Sequence, residues 1–121
     1  MLSLPPAVRI YVCTRPADMR RSFDGLAGCV RDWLGADPLS GHLFVFRNRS
    51  ADRLKVLFWD DDGLVIYYKR LEEGTFRLPP PPREGEALLL RPSELAMLLD
   101  GVDLTSVRRL KRYRRPETVS Q

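Results

Sequence analysis

A chain of 121 residues, 44% hydrophobic and 30% charged, has the make-up of one globular domain and not of a disordered polyelectrolyte. No apolar run approaches the ~20 residues of a membrane span, and the first residues, MLSLPPAVRIYV, lack the layout of a secretory signal. The net charge of +4 is uneven: residues 108–115, RRLKRYRR, hold six of the 20 basic residues and none of the 16 acidic ones, so the remainder is slightly acidic.

Two cysteines, Cys13 and Cys29, show neither metal-ligand spacing nor a disulfide framework, and both read as core residues of a protein in a reducing, cytoplasmic setting. Residues 1–107 read as a single α+β domain and 108–121 as a basic C-terminal tail.

In chain order, VRIYVC (8–13) alternates and is rich in β-branched and aromatic residues, the pattern of a strand. A helix follows Pro16. Asp18 is its candidate N-cap, Met19, Phe23, Leu26, Ala27, Val30, Trp33 and Leu34 recur at helical spacing, and Gly35 suits a left-handed ending. Ser22, Gly25, Gly28 and Cys29 form a stripe of small residues where a second element is expected to approach closely.

Five further strands are expected at 42–47, 53–59, 64–71, 75–78 and 87–90, giving a mostly antiparallel, twisted sheet of about six. Connections between the first four of these five are too short for crossover helices, so those neighbours pair antiparallel. The prolines at 79–82 read as an extended spacer. RPSELAMLLDG then makes a short helix with Pro92 in its first turn, Gly101 past its end, and Leu95, Leu98, Leu99 and Val102 as its apolar stripe.

Asp60, Asp61 and Asp62 raise the question of a metal-dependent nuclease. Three adjacent carboxylates in a tight turn diverge, whereas a metal needs ligands converging from several elements. With Gly63 supplying a positive φ, the segment reads as a three-residue hairpin loop. In that register Asp60 pairs with Leu64, and Arg53, Lys55 and Lys69 share one face, whereas a two-residue Asp62–Gly63 loop would change these pairings. His42, the only histidine, has no nucleophile partner by spacing, and nothing resembles a nucleophile–base–orienter set. No catalytic residue, metal or cofactor is assigned.

Two features suggest binding. Arg47, Arg49, Arg53, Lys55, Lys69 and Arg70 surround the central strands among Trp59, Tyr67 and Tyr68, as residues that neutralise phosphates and stack bases do. Edge charges that block aggregation would look the same. The tail residues Arg108, Arg109, Lys111, Arg112, Arg114 and Arg115 make an electrostatic footprint for nucleic acid, or for an acidic patch on a protein.

The segments ADMRRSFDGLAGCV, DPLSGHLFVFRNRSADRLKVLFWDDDGLVIYYKRLEEGTF and ELAMLLDGVDL carry a resemblance. Over most of the chain, from about Leu4 to Leu104, it resembles the accessory proteins encoded by the second open reading frame of IS66-type bacterial insertion sequences, the TnpB family. The resemblance implies a protein encoded beside a larger transposase and required for transposition, but not itself the strand-cutting enzyme. DNA and that transposase are the partners it implies, and it supplies no catalytic motif. The chain departs from the family in reading WDDDG where a glycine usually stands between the first two aspartates, in its tetraproline, and in Arg91 where a threonine or serine cap is common. The last helix is therefore expected to start less firmly, by about 1 kcal/mol.

Overall fold

A computed structural model describes residues 7–106, and the tail residues Arg108 to Arg115 lie outside them. The elements are β1 (Ile10–Val12), α1 (Phe23–Leu34), β2 (Leu43–Arg47), β3 (Arg53–Asp60), β4 (Gly63–Arg70), β5 (Leu88–Leu90) and α2 (Pro92–Leu99). The strands form one sheet in the order β4-β3-β2-β1-β5. The architecture is α+β with a mixed sheet. β1 and β2 are parallel and joined through α1, while the other three neighbouring pairs are antiparallel.

Sequence alternation explains how this sheet acquires a helix on each face. Successive strand side chains point to opposite faces. In β2, Leu43 and Val45 join Ile10, Val12, Leu54, Val56 and Leu90 beneath Leu95 and Leu98 of α2. Phe44 and Phe46 join Leu57 beneath Leu26, Ala27 and Val30 of α1. An uninterrupted apolar run is what a strand covered on both faces needs, and LFVF is buried throughout. Each of those large side chains contributes roughly 1.5–3 kcal/mol through burial.

Several expectations are corrected by the structure. Residues 75–78 are not a strand among the described residues, so the sheet has five strands and not six. Phe76 is nevertheless core, and its N–H donates to the Ala51 carbonyl at 2.7 Å. The prolines that follow lack the N–H groups a longer ladder requires. α1 begins at Phe23 with Ser22 at its cap, four residues later than an Asp18 cap implies. Asp18 instead closes a preceding turn, accepting the Arg20 N–H on Oδ1 at 2.9 Å. Phe23 and Val102, both assigned to buried stripes, are exposed.

Cys29 of the small-residue stripe is buried in the core, but no second element approaches the stripe's two glycines. A Cβ at Gly25 would meet only the Arg21 side chain, at 3.1 Å, and one at Gly28 would meet nothing within 4 Å.

The aspartate turn is shorter than expected by one residue. Asp60 pairs with Gly63, leaving Asp61 and Asp62 as a two-residue loop. Asp61 takes the left-handed conformation at φ 57°, and Gly63 does not. A short polar side chain tolerates that region, so the strain expected at the glycine sits on the aspartate. A one-residue slip exchanges faces: Val56 opposes Tyr67, and Leu54 opposes Lys69.

At the last helix the Arg91 guanidinium has no acceptor atom with which to cap the first turn. Glu94 supplies the other half of a capping box, accepting the Arg91 N–H at 2.8 Å.

Candidate nucleic-acid interface

The register distributes the basic residues of the sheet over two faces. Arg53, Lys55 and Arg70 lie on the α1 face, whereas Arg47 and Lys69 lie on the α2 face. Arg49 is exposed in the loop between β2 and β3. The single cationic face expected for Arg53, Lys55 and Lys69 is therefore not assembled.

The ends of these side chains explain what most of them hold. Lys55 is 7% exposed. Its ammonium donates to the carbonyls of Met19 and Arg21, both at 2.8 Å, and stands 4.5 Å from the Tyr68 ring centre. A buried ammonium needs such partners to offset its lost hydration. The loop before α1 supplies them, which fastens that loop to the sheet.

Lys69 Nζ donates to the Leu99 carbonyl at 2.7 Å, at the C-terminal end of α2, where the helix dipole favours a cation. Arg47 Nη1 donates to the Phe76 carbonyl at 2.7 Å, and burial pushes the guanidinium pKa below its ordinary value. Arg53 reaches the Tyr68 hydroxyl at 3.3 Å, and Arg70 meets Glu72 at 2.9 Å.

A second cationic group was not singled out by sequence. Arg15, after β1, places its guanidinium carbon 4.6 Å from the centre of Trp33, and Arg21 approaches the same ring at 5.7 Å. Beside them Thr14, Arg15, Trp33, Pro81, Glu84 and Ala87 line an open cleft of about 430 Å³. The signal available in the sequence was the run TRPADMRR, which carries three arginines between a strand and a helix bearing an amphipathic tryptophan. Its meeting with Trp33 depends on where the loop crosses α1.

The acidic turn has no convergent partner. Asp60, Asp61 and Asp62 are exposed, and among the described residues no group of three or more His, Cys, Asp or Glu side chains is disposed to hold a metal ion. His42 Nδ1 accepts the Arg9 N–H at 2.9 Å and its ring meets Tyr11 edge-on, so it ties two neighbouring segments together. Cys13 and Cys29 are buried free thiols in the α1-side core, and burial pushes both thiol pKa values up. That shift opposes thiolate chemistry.

Comparison with known proteins adds the decisive observation. The model of the IS66 Orf2-like proteins, TnpB, matches residues 8–109. The chain belongs to that family. It is also similar to the uncharacterized protein y4jC of Sinorhizobium fredii (strain NBRC 101917 / NGR234), with 41% identity over 120 residues that span 99% of this chain and all of the relative. The uncharacterized protein y4hO of the same strain is 42% identical over 103 residues, covering 85% of this chain and 88% of y4hO. No solved structure matches.

The IS66 Orf2-like match thus takes in both helices and every strand, together with Arg108 and Arg109. Lys111, Arg112, Arg114 and Arg115 lie past its end. Among the described residues no helix is long and apolar enough to cross a membrane.

Proposed function

We propose that this chain is a non-catalytic accessory factor of an insertion sequence, required for DNA transposition, which holds DNA, the element's large transposase, or both. The DNA contact is made chiefly by Arg108, Arg109, Lys111, Arg112, Arg114 and Arg115. Arg49 and Arg53 are the sheet-side residues best placed to assist. What supports this reading, beyond the family itself, is where the cations go. Lys55, Lys69 and Arg47 spend donors on main-chain carbonyls inside the fold. The densest run of basic residues in the sequence is the tail.

Truncation after Val107 tests this. It removes six of the 20 basic residues and one of the 16 acidic ones, and it spares every element of the fold. By fluorescence anisotropy across a salt series, the slope of log affinity against log salt should shrink by roughly 4–5 for duplex DNA, since each neutralised phosphate contributes about 0.9. The loss should be alike for terminal-repeat and random DNA, because phosphate contacts carry no sequence information. An unchanged slope moves the contact to the body of the protein. Absence of DNA binding by the full chain at low salt favours instead an adaptor whose tail docks an acidic protein surface.

A further inference from the structure

The β4 edge of the sheet is long, regular and uncharged at its centre. β4 is the terminal strand and pairs with β3 through eight consecutive residues with no bulge. Between Gly63 and Tyr68 it carries no charge and no proline, reading Leu64, Val65, Ile66, Tyr67 and Tyr68. Those are the devices by which edge strands are ordinarily kept from pairing. The opposite edge, β5, has only three residues.

Alternation fixes which main-chain groups face outward. Leu71 donates its N–H to Asp52, continuing the ladder toward β3. In an antiparallel pair the inward hydrogen-bonding positions recur every second residue. Leu64, Ile66, Tyr68 and Arg70 therefore present their N–H and C=O groups to the open edge. The side chains just inside this edge are incompletely covered: Tyr67 and Tyr68 are 44% and 46% exposed, and Leu64, Val65 and Ile66 are half-buried.

The strand is also polarised along its length. Asp61 and Asp62 stand at its start, Lys69 and Arg70 at its end. A strand acidic at one end and basic at the other is complementary to a second copy running antiparallel.

We infer that β4 pairs with β4 of a second copy of this chain about a two-fold axis at Ile66, joining two five-stranded sheets into one. In that register Ile66 opposes Ile66, Leu64 opposes Tyr68, and Val65 opposes Tyr67, so aliphatic and aromatic side chains meet across the axis. Asp62 of each copy opposes Arg70 of the other. Among the described residues Arg70 forms its ion pair with Glu72, an exposed pair of the kind that contributes little by itself. About six main-chain hydrogen bonds form around the axis, and the interface is isologous, as a closed dimer requires. A slip by two residues in either direction keeps the hydrogen bonds but takes Asp62 away from Arg70. Charge therefore selects this register. The inference does not depend on DNA binding.

The test is sedimentation equilibrium of the full chain, as wild type, Asp62→Lys, Arg70→Asp and the double variant, with circular dichroism to confirm folding of each. The wild type should dimerise reversibly. Each single variant should dimerise about ten-fold more weakly, since two opposed pairs turn repulsive by symmetry. The double variant should recover most of the loss. A wild type that stays monomeric up to about 100 μM overturns the inference. So does a dimer indifferent to all three variants, which would be built on another surface.

Discussion

The two faces of the sheet each hold a lysine, and the contrast between them shows what basic residues do in this fold. On the α1 face Lys55 is buried and divides its donors between two carbonyls of the loop that leads into the helix. On the α2 face Lys69 is half-buried and meets one carbonyl, at the end of a helix. Both satisfy main-chain oxygens that helix ends and turns leave open. They differ in how much hydration the ammonium surrenders, and so in how much the fold depends on its partners. A lysine on a sheet is a candidate for phosphate only when its ammonium is free.

Replacing each lysine in turn should separate the faces most strongly. Lys55→Met should destabilise the protein by about 2–3 kcal/mol, because two carbonyls beneath the pre-helix loop lose a charged donor. Lys69→Met should cost about 1 kcal/mol, as one exchanged hydrogen bond does. Urea denaturation of both variants measures the difference. If Lys55→Met leaves stability unchanged and weakens DNA binding, the ammonium is a nucleic-acid contact and the contrast between the faces fails.

The turn that assigns side chains to faces offers the next test. Asp61 at φ 57° bears the left-handed conformation, so Asp61→Val should cost about 1–2 kcal/mol. Gly63 lies in extended strand with open space around its Cα, and Gly63→Val should shift the thermal midpoint little. The reverse ranking would mean a three-residue loop, and Lys55 and Lys69 would then belong on one face.

The smallest effect sharpens the picture of the loop that Lys55 fastens. Arg20 hydrogen-bonds the Asp18 carboxylate and lowers its pKa from 3.8 to about 2. A depressed folded-state value means that the stabilisation is complete above the ordinary value and disappears as pH falls through about 2. The pair is exposed, so Arg20→Ala should return the Asp18 titration, followed by NMR, toward 3.8 with no measurable change in stability. A midpoint that stays near 2 would show that the turn's main-chain N–H alone sets it.

Much of this architecture was legible because its signals are local. Alternation located β3 and β4, an apolar run located β2, short connections made them antiparallel, and helical spacing located both helices. The register of β3 on β4 differs by one residue from the sequence pattern because Asp61, and not Gly63, takes the positive φ. That single exchange reassigns Lys69 to the other face. Phe76 alternates like a strand residue, yet its N–H and carbonyl find single partners, the Ala51 carbonyl and the Arg47 guanidinium, and no ladder. The anchoring of Lys55 was not legible in principle, since it depends on where a loop 34 residues earlier passes over the sheet.

The placement of β1 between β2 and β5 has a consequence for the order of folding. The β3–β4 hairpin closes over two residues, a step of about 1–10 μs. β1 must pair with Leu43–Val45 on one side and with Leu88–Leu90 on the other. On a ribosome adding roughly 5–20 residues per second, Ile10 and Val12 emerge several seconds before their β5 partners exist. For that interval β1, an interior strand of the finished sheet, is an open, apolar edge, and it is covered only by the last strand to be made.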